Sequence, residues 1–212
     1  MERDKRMIFL VRHGETDWND QKRIQGINDI PLNASGKRQA ARLAEALRCK
    51  QFAAYIASPL SRAFDTAAVI SNDSSIIETD SRLKERYFGS YEGKTEHEIT
   101  HLLNTRYNAS LQYLDSSFDW FGDPEVETIE AVTKRSNECL DDLHARFGDN
   151  DICVVTHGGV IKTIFDVVLG IDPNKPRRYI IPNGVCLKLK KRHGYWYLVS
   201  FSPLHETDHN EH

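Results

Sequence analysis

Residues 7–14 read Met-Ile-Phe-Leu-Val-Arg-His-Gly, a short apolar run that ends abruptly in a cation, an imidazole and a glycine. A run that is apolar at every position is typical of a strand covered on both faces, at the centre of an α/β sheet. Two further strand-like runs end in a similar way. Residues 152–155 are followed by Thr-His-Gly-Gly, and residues 52–57 are followed by Ser-Pro-Leu-Ser-Arg.

Helical spacing separates these strand-like runs. Apolar residues recur with helical periodicity at 40–47 and 63–70, and most regularly along 128–147. Further helices are expected at 95–108 and 160–169, a short strand at 76–77, and an antiparallel hairpin from strands 185–189 and 195–201. Strands that alternate with helices predict a three-layer α/β/α sandwich, with a mostly parallel central sheet and a C-terminal antiparallel hairpin.

The length of 212 residues suits one well-buried domain. We expect a single domain over residues 1–203 with an inserted, lid-like segment at about 93–127, followed by a disordered tail at 204–212. Strand 195–201 has two alternatives: it is an edge that pairs with a second copy in a homodimer, or it is covered.

The composition is that of an ordinary folded protein, with 40% hydrophobic and 28% charged residues. A formal net charge of -3 disfavours nucleic-acid binding, which normally requires a basic surface. No apolar run is long enough to cross a bilayer, and the charged N-terminus lacks a signal-peptide core. The four cysteines form no CxxC pair, which favours reduced, mostly buried thiols. We therefore expect a cytoplasmic protein with no nucleic-acid or membrane partner.

The expected strand ends carry two arginines and two histidines: Arg12, His13, Arg62 and His157. In open α/β sheets, ligands bind beyond the carboxyl ends of the strands, so these side chains are expected to converge. A guanidinium group offers a planar fork of donors that matches phosphate oxygens, and glycines after each histidine admit backbone N–H groups. A histidine in such a site can attack phosphorus, and the surrounding cations lower its pKa. The pattern predicts a phosphoryl-transfer site.

The segment Arg-His-Gly-Glu-Thr-Asp-Trp-Asn at 12–19 resembles the signature of the histidine phosphatase superfamily, in its phosphoglycerate mutase-like branch. The resemblance continues at Gln-Gly 25–26, Pro-Leu-Asn 31–33, Ser-Pro-Leu-Ser-Arg-Ala 58–63 and Thr-His-Gly-Gly 156–159. It covers about residues 7–170 and is weakest between 93 and 127.

This resemblance implies roles for particular residues. His13 corresponds to the nucleophile that becomes phosphorylated. The residues implied to contact the phosphoryl group are Arg12, Asn19, Arg62, His157 and the backbone of Gly158. Gln25 and Gly26 are implied to line the substrate entrance. No cofactor or metal is implied, because the arginines supply the positive charge.

The family also uses a carboxylic acid to protonate the leaving oxygen, and two glutamates compete for that role. The resemblance favours Glu85 as the acid, with Glu92 as the rival. After giving its proton, the same carboxylate would act as the base on the attacking water.

Hydrolysis of a small phosphorylated metabolite is the expected reaction, and a phosphoglycerate-type phosphomutase is the alternative. Residues 89–93 resemble phosphatase members, and the stretch between Glu85 and His157 is shorter than in mutases. That stretch contains one adjacent basic pair, Lys134-Arg135, which its helix is expected to expose to solvent.

The segment 115–127 carries acids that would repel a second phosphate if they faced the pocket: Asp115, Asp119, Asp123, Glu125 and Glu127. Its aromatic residues could stack on a substrate or pack the insert onto the domain: Phe118, Trp120 and Phe121.

Two other classes of function compete with a phosphatase. His97-Glu98-Ile99-Thr100-His101 matches the HExxH pattern of zinc peptidases, but no third ligand is evident and we interpret the match as coincidence. A non-catalytic phosphate-binding module is the other alternative, although every pocket residue is present.

Overall fold

The structure is a computed structural model that describes residues 6–72, 76–107, 123–172 and 179–202. The strands in these ranges are β1 (Ile8–Arg12), β2 (Tyr55–Ala57), β3 (Ile77–Thr79), β4 (Ile152–Thr156), β5 (Cys186–Arg192) and β6 (Tyr195–Ser202). The helices are α1 (Asp17–Asp20), α2 (Ala34–Leu47), α3 (Ser61–Ser71), α4 (Glu96–Tyr107), α5 (Ile129–Phe147) and α6 (Gly158–Leu169). Short 3₁₀ turns lie at Ser81–Leu83 and Gly89–Tyr91.

The strands form one six-stranded sheet in the order β3-β2-β4-β1-β5-β6. Strands β3, β2, β4 and β1 are parallel, whereas β5 and β6 are antiparallel and form the C-terminal hairpin. The register pairs Arg12 of β1 with Thr156 of β4, so both strands end at the same level. The predicted fold class is confirmed.

Alternate side chains of β1 face opposite helical layers, which explains why the run is apolar at every position. Phe9 and Val11 belong to the core cluster that contains α2 and α3 residues. Ile8 and Leu10 belong to the cluster that contains α5 and α6 residues. Because both faces of the central strands are covered, polar groups can be placed only beyond the strand ends.

The boundaries of the elements agree with the local sequence pattern for one long helix and depart from it for one strand. The helix expected at 128–147 begins at Ile129, where the Thr128 hydroxyl accepts the Ala131 N–H at 3.1 Å, and it ends before Gly148 at φ +57°. The strand expected at 52–57 forms only over 55–57. Phe52 instead packs its ring edge-on against Phe9, with ring centroids 5.0 Å apart.

Part of the expected insert lies outside the described residues. Helix α4 packs on the neighbouring turn through a separate small cluster, made of Phe88, Tyr91, Ile99, Leu103 and Val126. The aromatic residues at 118–121 and the tail at 204–212 fall outside the described ranges. The domain boundaries stay predictions.

The sequence analysis also made predictions about the state of the cysteines, membrane crossing and self-association. Cys139, Cys153 and Cys186 are buried free thiols, and Cys49 is exposed and free. Within the described ranges, none of the helices has the length and apolarity that crossing a bilayer requires. Strand β6 lies at the end of the sheet order. The homodimer and the cytoplasmic location stay predictions.

The α5–α6 layer is expected to provide much of the stability. Replacing the fully buried Leu140 by alanine should lower the free energy of unfolding by about 2–5 kcal/mol, because it removes apolar contacts and leaves a cavity. Urea denaturation measures this change. Leu102→Ala, at a side chain 41% exposed, is the control and should cost well under half as much.

Candidate active site

Strands β2, β4 and β1 are neighbours in the sheet, so their carboxyl ends lie side by side. The His13 backbone N–H donates to the Thr156 carbonyl oxygen at 3.0 Å, and the Ser58 N–H donates to the Val155 oxygen at 2.9 Å. These bonds continue the strand pairing by one residue. They bring the segments that follow β1, β2 and β4 to one place, as the sequence pattern predicted.

His13 lies at the carboxyl end of β1 and is only 2% exposed. Its Nδ1 atom is 2.6 Å from the carbonyl oxygen of Gly14. A carbonyl accepts only, so Nδ1 carries the proton and Nε2 keeps its lone pair. The ring centroid lies 5.0 Å from that of His157.

The pKa values of both imidazoles lie well below the ordinary value of 6.5. For His13 the largest cause is burial, followed by the positive charges of Arg62 and Arg12. For His157 burial is again first, followed by Arg62. Both rings are therefore neutral at neutral pH, and the His13 lone pair is available to attack an electrophile.

Arg12 directly precedes His13 in the chain, and its charge acts on the His13 imidazole. Burial lowers the pKa of Arg12 to about 10; the carboxylate of Glu85 opposes the shift and the charge of Arg62 adds to it. Its Nη1 donates to the Ile181 carbonyl oxygen, while its buried Nε lacks a partner among the described residues. A Cβ on Gly158 would lie 3.2 Å from the Arg12 guanidinium carbon, so this approach depends on glycine.

Arg62, on the first turn of α3, is completely buried. Its Nη atoms donate to the carbonyl oxygens of Gly26 at 2.8 Å and Asn28 at 2.7 Å. Its Nε donates to Nδ1 of His157 at 3.2 Å. The carbonyl oxygens of loop 26–28 thus compensate the buried charge of Arg62. Gly26 therefore lies next to a side chain that is a candidate for binding phosphate.

His157 uses both ring nitrogens. Because Nδ1 accepts from Arg62, the proton of the neutral ring lies on Nε2, which is 2.7 Å from the Ser58 hydroxyl. Sequence reasoning gave Ser58 no role, although it lies in one of the motifs. To donate to a phosphate oxygen, His157 must exchange its hydrogen bond to Ser58.

The two rival glutamates have different surroundings. Glu85 lies at the N-terminus of α6, where its Oε2 accepts the Gly159 N–H at 3.0 Å, and its charge acts on Arg12 and Arg62. Glu92 accepts the N–H groups of Ile27, Asn28 and Phe88, at 3.0, 3.2 and 3.0 Å. Glu92 therefore ties two loops together and its charge acts on Arg62, whereas the charge of Glu85 acts on both arginines.

Asn19 is linked to His13 through Asn183, and Gln25 precedes Gly26, whose carbonyl oxygen accepts from Arg62. Asn19 Oδ1 caps α1 through the Thr16 N–H at 3.2 Å and also accepts from Asn183 at 3.3 Å. Asn183 donates to the His13 carbonyl oxygen at 3.1 Å, a contact that no local motif signalled. Gln25 is 8% exposed, and its Oε1 has no partner within the described part of the chain.

One expectation about a charged side chain is wrong. Arg135 is not a solvated residue of α5: its Nε is 2.7 Å from Glu127 in an ion pair whose side chains are 20% and 21% exposed. Asp123 is buried and accepts from the Tyr91 hydroxyl at 2.7 Å. Asp123 and Glu127 are thus engaged in packing the chain, and Asp115 and Asp119 fall outside the described residues.

The HExxH segment lies on α4 and serves a structural purpose there. His97 and His101 are exposed, while Glu98 accepts the Thr95 N–H at 2.7 Å and so caps the helix. The described ranges contain no group of three His, Cys, Asp or Glu side chains arranged to hold a metal ion.

Comparison with known proteins agrees with this geometry. A profile described as histidine phosphatase superfamily (branch 1) matches residues 8–202. The chain belongs to the histidine phosphatase superfamily. The resemblance noted in the sequence is confirmed.

Relatives within this superfamily carry both phosphatase and mutase names. The uncharacterized phosphatase PhoE of Bacillus subtilis (strain 168) is 35% identical over 168 residues, 78% of this chain and 79% of PhoE. Phosphoglycerate mutase-like protein 4 of Arabidopsis thaliana is 35% identical over 163 residues, 75% of this chain and 69% of that protein. A mutant phosphoserine phosphatase of Entamoeba histolytica, solved with phosphoserine, gives a TM-score of 0.78 at 29% identity, covering 92% of this chain and 96% of that one.

The low histidine pKa values predict how stability depends on pH. The unfolded chain protonates its histidines below about pH 6.5, whereas the folded protein keeps His13 and His157 neutral. Stability is therefore complete above this pH and falls as the pH is lowered, by at most about 1.4 kcal/mol per pH unit for each histidine. Urea denaturation on both sides of this pH measures the slope.

The variant His13→Asn should reduce that slope by the contribution of one histidine, at most about 1.4 kcal/mol per pH unit. His97→Asn, at an exposed histidine, is the control and should leave the slope unchanged. Equal slopes for native protein and His13→Asn would show that His13 does not resist protonation in the folded state.

Proposed function

We propose that the protein is a metal-independent phosphomonoester hydrolase that transfers the phosphoryl group of a small metabolite to His13 and then to water. The observation that carries this proposal is the state of His13: a buried, neutral imidazole whose Nδ1 is fixed by the Gly14 oxygen at 2.6 Å, between two guanidinium groups. A nucleophile needs the free lone pair, and a transferring phosphoryl group needs the cations.

In the first step Nε2 of His13 attacks phosphorus. The P–Nε2 bond forms while the ester P–O bond breaks, and the carboxylic acid of Glu85 gives its proton to the leaving oxygen. Arg12 and Arg62 bind the equatorial oxygens, whose charge is spread over the group during transfer. The alcohol leaves and the phosphoryl group stays on His13.

In the second step water replaces the alcohol. The carboxylate of Glu85 takes a proton from water as the water oxygen bonds to phosphorus, and the P–Nε2 bond breaks. Inorganic phosphate leaves, His13 is free again, and Glu85 has regained the proton that it gave to the alcohol. The buried cations supply the charge stabilisation that a metal ion provides in other phosphatases.

Hydrolysis is favoured over mutase activity by the engagement of Arg135. A mutase must bind a second anionic group of the product, and Lys134-Arg135 is the one adjacent basic pair in the sequence between Glu85 and His157. Arg135 donates instead to Glu127 and to backbone carbonyls, at 2.7 Å for both Glu127 and Lys84. Of the two residues of the pair, only Lys134 is exposed to solvent.

The mechanism predicts phosphatase activity that requires His13 and resists chelation. In excess EDTA the native protein should hydrolyse an aryl phosphate, and His13→Ala should lose this turnover. His97→Ala, in the HExxH segment, should keep the native rate. A phosphoenzyme trapped by rapid mixing should be stable to base and labile to acid.

Four results would contradict the proposal. Undiminished hydrolysis by His13→Ala would exclude His13 as the nucleophile, and loss of activity in EDTA would indicate a metal enzyme. A native protein inactive on a wide panel of monophosphates would indicate a non-catalytic phosphate-binding module. Phosphoryl transfer between positions of phosphoglycerate, without phosphate release, would indicate the mutase.

The assignment of the acid makes a separate prediction. Glu85→Gln should lower kcat/KM for alkyl phosphates by about 10²–10⁴-fold, because a poor leaving group needs the proton. Hydrolysis of p-nitrophenyl phosphate, whose leaving group needs little protonation, should change far less. Glu92→Gln is the matched variant. If only Glu92→Gln lost more kcat/KM on alkyl esters than on p-nitrophenyl phosphate, Glu92 would be the acid instead of Glu85.

A further inference from the structure

We propose that Arg135 is a positioning residue for the general acid, which holds the Glu85 segment in place through an ion pair with Glu127. This inference rests on the proposed function and adds a residue whose effect is exerted through Glu85. The basis is the set of contacts that Arg135 and Glu127 make on both sides of Glu85.

The segment that carries Glu85 has no regular structure of its own. The 3₁₀ turn ends at Leu83, the next begins at Gly89, and residues 84–88 form neither helix nor strand. By contrast, His13 and His157 directly follow β1 and β4, and Arg62 lies on α3. Glu85 is thus held by contacts from other elements, whereas the nucleophile is held by the sheet.

Arg135 binds the N-terminal side of this segment. Its Nη1 donates to the carbonyl oxygens of Arg82 and Lys84, the latter at 2.7 Å, and its Nη2 donates to the Glu85 carbonyl oxygen at 3.2 Å. One planar guanidinium therefore contacts three carbonyls in four residues. A lysine cannot reproduce this fork, because its donors radiate from one nitrogen.

Glu127 binds the C-terminal side. Its backbone N–H donates to the Tyr87 oxygen at 2.9 Å, and its carbonyl oxygen accepts from Arg86 Nε at 2.6 Å. Its carboxylate accepts two bonds from Arg135, at 2.7 and 3.0 Å. The ion pair thus joins two sets of contacts, one before Glu85 and one after it.

The ion pair is only about one-fifth exposed, with side chains at 20% and 21%. Bidentate, charge-assisted bonds of this kind fix geometry as well as energy. Proton transfer requires the acid to lie within hydrogen-bond distance of the leaving oxygen. Loosening residues 84–86 would displace the carboxyl group while His13, held by the sheet, stays in place.

The experiment compares leaving groups in the full-length protein. Arg135→Met and Arg135→Lys are assayed on a series of aryl monophosphates and on an alkyl monophosphate. We expect kcat/KM for the alkyl ester to fall about tenfold or more, and that for p-nitrophenyl phosphate to fall by less than about threefold. Arg135→Lys should recover part of the loss.

Arg146→Met is the matched control on the same helix. Arg146 also forms a bidentate pair, with Glu78 at 2.6 and 2.9 Å, but that pair is exposed and lies away from the Glu85 segment. Its loss should leave both substrates unchanged. Thermal unfolding of each variant separates lost stability from lost positioning.

A double-mutant cycle gives the decisive comparison. In the Glu85→Gln background, Arg135→Met should cost less than about twofold on the alkyl ester, because no acid remains to be positioned. An equal loss on all leaving groups, or a full additional loss in that background, would overturn the proposal. If Arg135→Met does not fold, Glu127→Gln, which keeps one acceptor oxygen, is assayed under the same criteria.

These outcomes are separate from those that test the proposed function. A phosphatase that needs His13 and Glu85, yet shows a leaving-group dependence unchanged by Arg135→Met, would keep its mechanism and lose this role for Arg135. A native protein without phosphatase activity would refute the mechanism and, with it, the role of Arg135.

Discussion

The burial of two guanidinium groups beside two imidazoles is the constraint on which the rest of the site depends. A buried charge is tolerated only when it is hydrogen-bonded or opposed by another charge. The carbonyls of Gly26 and Asn28 serve Arg62, and the carboxylate of Glu85 acts on both arginines. Burial, together with the charges of the same cations, keeps His13 neutral, so one arrangement both compensates the buried charges and leaves the His13 lone pair free.

Different parts of the chemistry are held by different kinds of structure. His13, the proposed nucleophile, follows a central strand whose two faces are covered by helices, and its position is fixed by ladder bonds to β4. Glu85, the proposed acid, lies on an irregular segment that is held by the ion pair between Arg135 and Glu127 and by the Gly159 N–H.

Periodic elements could be predicted well from the sequence. The buried runs of β1 and β4 and the long amphipathic helix α5 have local periodicity, because each is covered by other elements on a fixed side. Strand β2 was predicted too long, since Phe52 is apolar because it packs against Phe9 rather than because it pairs in the sheet. Arg135 was misjudged for a related reason: helical position does not reveal that a side chain bends back onto a neighbouring loop.

The sequence by itself determined the alternation of strands and helices, the superfamily, and the motifs whose residues converge beyond the strand ends. Only the tertiary structure decided which partners these residues have. Ser58 meets His157 across 99 residues, Asn183 meets His13 across 170, and Arg135 meets Lys84 across 51. Local patterns report burial, which repeats along the chain. Such long-range hydrogen bonds leave no periodic trace, because each joins two single positions brought together only by the packing of the whole sheet.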